Sequence, residues 1–226
     1  MTEAGTSRMI EKVNRVRNFY RAETVPENYS GIVHLTIFSL CGVSVVIVCM
    51  LFLQNLKFAE LLTIPVIFIM GNLVEYSLHR FAMHKPLENL FIIYKKHTIA
   101  HHHLFTDETM EIDKTVDLKF VLLSPLTLTI VIGIFTIPMG VFLGYVISVN
   151  VGLLYVGTAV GYMLFYEWFH LTYHLPEESW VSQIPIIKRL KKYHAFHHRL
   201  SNMSEMNFNI FLPIFDILFR TRNKVS

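Results

Sequence analysis

Along this chain the polar and apolar positions are segregated into long blocks instead of alternating. Residues 28–56 contain no Asp, Glu, Lys or Arg, residues 61–74 contain none, and 120–166 form a run of 47 positions without one. A helix that crosses a bilayer needs about 20 apolar residues. The first two runs therefore predict spans over about 31–54 and 61–79. The 47-residue run is too long for one crossing, and Pro138, Gly140 and Gly144 cluster where a turn would fall. That divides it into a hairpin of spans over about 120–139 and 145–169. The apolar tail segment Phe208 to Phe219, 12 residues with Pro213 inside it, is too short to cross and reads as interfacial.

The expected fold is all-α: an integral membrane protein of four transmembrane helices with a cytoplasmic helical cap. Residues 1–27 read as a cytoplasmic N-terminal arm and 28–226 as the membrane-embedded domain, its cap drawn from 80–119 and 170–226. Charge supplies the orientation independently. The arm carries Arg8, Lys12, Arg15, Arg17 and Arg21, the 80–119 loop six Lys or Arg, and the chain from 175 onward eight. Only Lys57 lies between the first two spans, and nothing basic lies in the hairpin turn. The positive-inside rule places both termini and the middle loop in the cytoplasm, as an even number of crossings requires.

Composition narrows the class. The chain of 226 residues is 53% hydrophobic and 16% charged, with a mean hydropathy of +0.43, against about 25% charged in soluble domains. An ordinary soluble enzyme, a disordered chain and a disulfide scaffold are excluded. Cys41 and Cys49 lie eight apart in one predicted helix, ~12 Å along its axis, too far to bridge. A net charge of +3 with pI near 8.8 is too mild for a nucleic-acid partner. The first 27 residues lack a short apolar core followed by a cleavage site, so the first span is expected to be retained.

Histidine carries the chemistry. Ten of the 12 His fall into four groups: His79 and His84; His97, His101 and His102; His170 and His174; His194, His197 and His198. The predicted topology puts all four on the cytoplasmic side. His97/His101, His170/His174 and His194/His198 are i,i+4 pairs and His194/His197 is i,i+3, so each group can aim imidazoles from one helical face. His79 and His84 are five apart, which on a regular helix is about 140° of rotation, so this pair needs a bend or a helix end. Pro86 supplies a reason for an end. Imidazoles gathered at one surface repel if protonated, whereas a metal holds them neutral. Ten suit two metal ions with about five nitrogens each, or four to five plus an open position, more than one structural zinc requires. His103 is expected to be a neighbour, with His102 assigned in its place among three consecutive histidines. His34, alone in the first span, is expected to be a packed or interfacial histidine. Glu75 and Glu167 are the only acids within the predicted spans, one turn before His79 and His170. A carboxylate there is costly and usually partnered, and both are expected to accept hydrogen bonds from the second ring nitrogen of ligand histidines.

The segments HRFAMH at 79–84, HTIAHHH at 97–103, HLTYH at 170–174 and HAFHH at 194–198 resemble the histidine boxes of the fatty acid hydroxylase and sterol desaturase superfamily, as do GYMLFYEWFH and NFNIFLPIFDILFRT. The resemblance covers about Leu61 to Thr221. It implies an oxygen-dependent, membrane-bound, non-haem di-iron oxidoreductase, a monooxygenase that hydroxylates a fatty acyl or related lipid chain. The metal ligands would be His79, His84, His97, His101, His102, His170, His174, His194, His197 and His198. Two iron ions are the implied cofactors, with zinc able to replace them in purified protein and O2 as co-substrate. The site would stand on the cytoplasmic face of a bacterial inner membrane or endoplasmic reticulum. An external electron donor of the cytochrome b5 or ferredoxin type is implied, since no haem domain is fused here. Arg220 stands where many relatives would carry glycine, which puts the local turn in question.

Lipid is expected to enter along faces bearing Phe68, Met163, Phe165 and Tyr166, and Lys95, Lys96, Lys188, Arg189, Lys191 and Lys192 could hold an anionic head group or an acidic donor. Desaturation, carotenoid hydroxylation and a non-catalytic membrane metal protein are the competing readings. A transporter would place ionisable residues deep along its spans, and the middles of the third and fourth have none.

Overall fold

The computed structural model describes residues 3–223, with side chains described from Ile10. Arg8 and Lys224, both counted in the charge argument, lie outside the described side chains. Among the described residues the structure is helical, with no strand. Helix α1 is Glu3–Thr24 and α2 is Gly31–Leu51. Helix α3 runs over Phe58–Met83, opening with a 3-10 turn and ending in a π-helical turn, Leu78–Met83. Helix α4 covers 91–104, its middle again π-helical over Lys95–His101. A short α5 occupies 115–121. Helices α6 (Pro125–Val146) and α7 (Val149–Tyr173) follow, then α8 (Pro185–His197) and α9 (Ile214–Leu218).

Helices α2, α3, α6 and α7 are the four long and apolar enough to cross a membrane. The third and fourth differ from expectation in their turn. Pro138 and Gly140 lie inside α6, and the chain reverses at Ile147–Ser148. Proline removes an N–H and crowds the preceding turn, and here a π-helical turn, Val131–Thr136, directly precedes it. The glycines serve close approach. A Cβ on Gly152 would stand 2.4 Å from the Gly140 carbonyl oxygen and 2.9 Å from Gly144 Cα. This is a small-residue seam of the kind that lets membrane helices touch backbone to backbone.

The chain divides into two compact units. One, the span unit, comprises Val33–Val74 and Leu123–Trp168. Helix α7 is its hub. Gly42 of α2 faces Leu164, Gly71 of α3 faces Tyr162, Trp168 Nε1 donates to Ser39 Oγ at 3.0 Å, and Asn72 Nδ2 donates to Tyr162 Oη at 3.0 Å. Leu40, Phe58, Leu126 and Val141 are exposed, apolar surface that suits lipid and not water. Cys41 and Cys49 are free thiols.

The other unit gathers the chain up to Ile32, Glu75–Leu122 and the chain from Phe169 on. All ten grouped histidines belong to it. The N-terminal arm, read from sequence only as polar, is a helix docked in this unit through buried Val13 and Arg17. The tail is packed in part. Phe208, Ile210 and Phe215 are buried, with Phe208 and Phe215 packed on Tyr76, while Leu212, Ile217, Leu218 and Phe219 are exposed. Asp216 is the reason. Its carboxylate accepts from the backbone of Phe208 (3.0 Å) and Asn209 (2.7 Å), from Tyr193 Oη (2.9 Å) and from Thr221 Oγ1 (2.6 Å). Such a saturated buried carboxylate fixes the surrounding loop.

Candidate metal centre

The ten histidines form two groups of five. His79, His84, His97, His102 and His197 make one, and His101, His170, His174, His194 and His198 the other; within each, the potential ligand atoms all lie within 4.8 Å of one another. Nine of the ten are buried and His97 is half-buried. The stacked rings of His102 and His198, 4.2 Å apart, bring the two groups into contact.

The sequence groups do not map one to one onto these centres. His97 and His101, expected to share a face, go to different groups, because the helix between them is π-wound. A π-turn closes i→i+5 bonds, so positions five apart, not four, return to one side. That pairs His97 with His102 and His79 with His84, each pair straddling a π-helical turn. The bend demanded by the five-residue spacing of His79 and His84 is thus a change of helix winding. The i,i+4 pairs His170/His174 and His194/His198 stay together, as regular helix dictates.

Six of the ten rings are aimed through Nδ1 by a backbone carbonyl or a hydroxyl. His79 bonds the Phe208 carbonyl, His101 that of Phe120 (2.9 Å), His174 that of Met110 (2.7 Å), His197 that of Met206 (2.7 Å) and His198 that of Phe105 (2.5 Å). A carbonyl only accepts, so Nδ1 carries the proton and Nε2 is left as a lone pair. His84 Nδ1 meets Thr98 Oγ1 at 3.0 Å, and that hydroxyl already donates to the Met83 carbonyl at 2.6 Å. The hydroxyl must therefore accept from His84.

Nε2 atoms converge in the middle: His79 and His97 at 2.9 Å, His84 and His197 at 3.1 Å, His97 and His102 at 3.1 Å, His170 and His174 at 3.3 Å, His194 and His198 at 2.9 Å. For His84 and His197 both Nδ1 protons are accounted for, so two bare lone pairs face each other. Only a cation between them makes that contact favourable. Metal–nitrogen bonds of about 2.1 Å at right angles put neighbouring nitrogens ~3.0 Å apart, the spacing seen. The buried His101 Nε2, which has no protein partner, fits the same role. Burial pushes His84, His97, His101, His102, His194, His197 and His198 well below the ordinary histidine range, and His174 down to about 3. They stay neutral at pH 7, the form that binds metal.

The remaining sequence expectations divide. His103 is exposed, bonds the Thr98 carbonyl at 3.0 Å and joins neither group, and His34 bonds the Leu123 carbonyl at 3.1 Å. Glu167 departs from its expected role: Oε2 accepts from the Leu123 backbone N–H at 2.9 Å and Oε1 has no partner, so it holds the chain entering α6 and no imidazole. Glu75 accepts from the Ile210 backbone N–H, two residues past the carbonyl that aims His79. For Glu75 the physical reason is that His79, like four other rings of the two groups, already spends its Nδ1 proton on a nearer backbone carbonyl. Those carbonyls, with Thr98 and the Asp216 loop, were missed from sequence, since a backbone acceptor leaves no residue signature. Lys191 is buried, donating to the Leu175 carbonyl at 2.6 Å, whereas Lys95, Lys96, Lys188, Arg189 and Lys192 are exposed. Phe68 packs on Tyr162 and Phe165 is exposed.

A profile of the fatty acid hydroxylase family matches residues 64–221, about two thirds of the chain, and takes in all ten histidines. The chain belongs to the fatty acid hydroxylase family. Among solved structures, one described as full-length scs7p with only the hydroxylase domain visible superimposes with a TM-score of 0.57 at 22% identity, covering 85% of this chain and 66% of that one. At that identity the likeness concerns the fold. The chain spans just under two thirds of the length of that structure. No curated protein matches the sequence. Family membership accords with four helices long and apolar enough to cross a membrane and with two histidine groups that could each hold a metal ion.

Proposed function

We propose that this fatty acid hydroxylase family member inserts oxygen into a C–H bond of a lipid chain using two iron ions. The first would be held by His79, His84, His97, His102 and His197, the second by His101, His170, His174, His194 and His198. The observation that carries the reading is the facing pair of bare Nε2 atoms on His84 and His197, repeated as a convergence of five imidazoles at each centre. The ions would supply oxygen activation, which no side chain provides. The protein's part is orientation and exclusion of water. Carbonyls of Phe105, Met110, Phe120, Met206 and Phe208 and the Thr98 hydroxyl hold six of the rings in one tautomer, and burial of nine rings keeps the centre dry. The half-buried edge at His97 is the side on which oxygen would arrive.

Four apolar helices and the distribution of Lys and Arg support a cytoplasmic site reached by substrate from the bilayer. Exposed Lys95 and Lys96 lie on the helix that bears His97, and exposed Lys188, Arg189 and Lys192 on the helix that bears His194. Both would suit an acidic electron donor of the cytochrome b5 or ferredoxin type.

Lipid analysis of cells expressing the protein, beside a variant carrying His97→Ala and His101→Ala, tests the activity. An added-oxygen mass that depends on those histidines is expected, and identical lipid profiles would overturn the hydroxylase reading. Metal counting on the purified pair should give about two ions per wild-type chain. Zero or one would overturn the proposed centre.

A further inference from the structure

The N-terminal helix lies outside the residues that match the family, yet its basic side chains reach under one of the two centres. Arg17, 6% exposed, donates Nε to the Leu104 carbonyl at 3.0 Å and Nη2 to those of Thr109 (2.8 Å) and Glu111 (2.7 Å). Its guanidinium also lies over the Phe105 ring, 5.3 Å from the centroid. These contacts bracket two carbonyls that aim imidazoles: Phe105, which takes the proton of His198, and Met110, which takes that of His174. Four residues further along α1, Arg21 grips Asp117 with two bonds of 2.7 Å. Asp117 opens the short helix whose Phe120 carbonyl takes the proton of His101. Between them these sites hold the acceptors of His101, His174 and His198, three of the five histidines of one group. The acceptors of the other group, at Thr98, Met206 and Phe208, receive neither arginine.

We propose that Arg17 is a positioning residue for the metal ion at the His101, His170, His174, His194 and His198 centre, acting through the backbone of residues 104–111. This rests on the two-metal reading above. The chemistry suits the role: a guanidinium is a rigid planar fork of donors that can satisfy several carbonyls at once, whereas a lysine ammonium reaches them only as a point donor. Partners behind metal-binding histidines are worth about 10–100-fold in affinity.

The test uses full-length protein in detergent loaded with zinc, read as ions per chain and as release to a chelator. Wild type is expected to hold two ions. Arg17→Ala should release one at least ~10-fold faster and the other unchanged, with Arg17→Lys intermediate. Arg15→Ala, which breaks only an exposed ion pair with Glu11 on the same helix, should release both as wild type does. Site assignment comes from coupling. Arg17→Ala should add nothing to His194→Ala and should add its full effect to His97→Ala. Two ions released from Arg17→Ala at wild-type rates, or both accelerated alike, would overturn the proposal. Should Arg17→Ala fail to fold, Arg17→Lys is judged by the same release rates. A wild-type chain that does not hold two ions would instead remove the two-metal reading, and the proposal with it.

Discussion

The two groups of five histidines are chemically alike but built on different backbone. The His79, His84, His97, His102 and His197 group is made from two pairs that straddle π-helical turns. The His101, His170, His174, His194 and His198 group is made from two i,i+4 pairs on ordinary α-helix, joined by His101 from the end of a π-helical turn. Their surroundings differ as well. The π-built group includes the half-buried ring, His97. The α-built group is wholly buried, with three rings tied to carbonyls that α1 braces. π-helical turns are frequent at functional sites, and here one of them carries the half-buried ring. The π-built centre is therefore the one expected to exchange its ion faster and to meet incoming oxygen.

The comparison breaks most directly by removing ligands. His197→Ala and His194→Ala should each abolish hydroxylation by more than ~100-fold, since catalysis by a metal pair needs both, while each retains one of two ions by elemental analysis. Retention of both ions by either variant would contradict the division into two groups. Deleting Phe81, an exposed residue between His79 and His84, should convert that turn to regular helix and weaken the π-built centre by ~10–100-fold, leaving release from the α-built centre unchanged. Thr98→Val, which removes the acceptor of His84, should weaken the same centre about tenfold.

A smaller effect sharpens the α-built side. Burial opposes the charge on Asp117, but Arg21 and the backbone N–H groups of Asp113 and Lys114 outweigh it and hold the carboxyl below the usual range. The stability this contributes is fully present above the unfolded aspartate value of about 3.9 and is lost as pH falls through the folded one. Asp117→Asn should therefore cost ~2–3 kcal/mol near neutral pH, measured by denaturant unfolding, with the cost shrinking as pH falls below about 3.9. The smallest change is expected at Arg220, whose φ of 58° is the left-handed conformation. Arg220→Gly should stabilise the fold by ~1 kcal/mol.

The four apolar helices were legible because charge-free runs of that length have no other stable use. The hairpin turn was not, because Gly140 and Gly144 serve either a turn or a close helix contact, and only Gly152 opposite them decides which. The histidines were legible as residues and partly as geometry. Spacings of four predicted partners correctly for His170/His174 and His194/His198 and failed for His97/His101, because nothing in HTIAHHH signals a π-turn. The second-nitrogen partners were misassigned to Glu167, since carboxylates are visible in a sequence and carbonyls are not. Arg220 illustrates the reverse: a residue out of place in the sequence marked a strained position in the structure.

The opposed lone pairs of His84 and His197 bear on supply as well as chemistry. A chain folded around them without a cation carries an internal repulsion that its own hydrogen bonds cannot relieve, because both protons are pledged elsewhere. Metal scarcity would then lower the amount of this protein as well as its turnover, with starved cells clearing the chain instead of storing it ready to be charged.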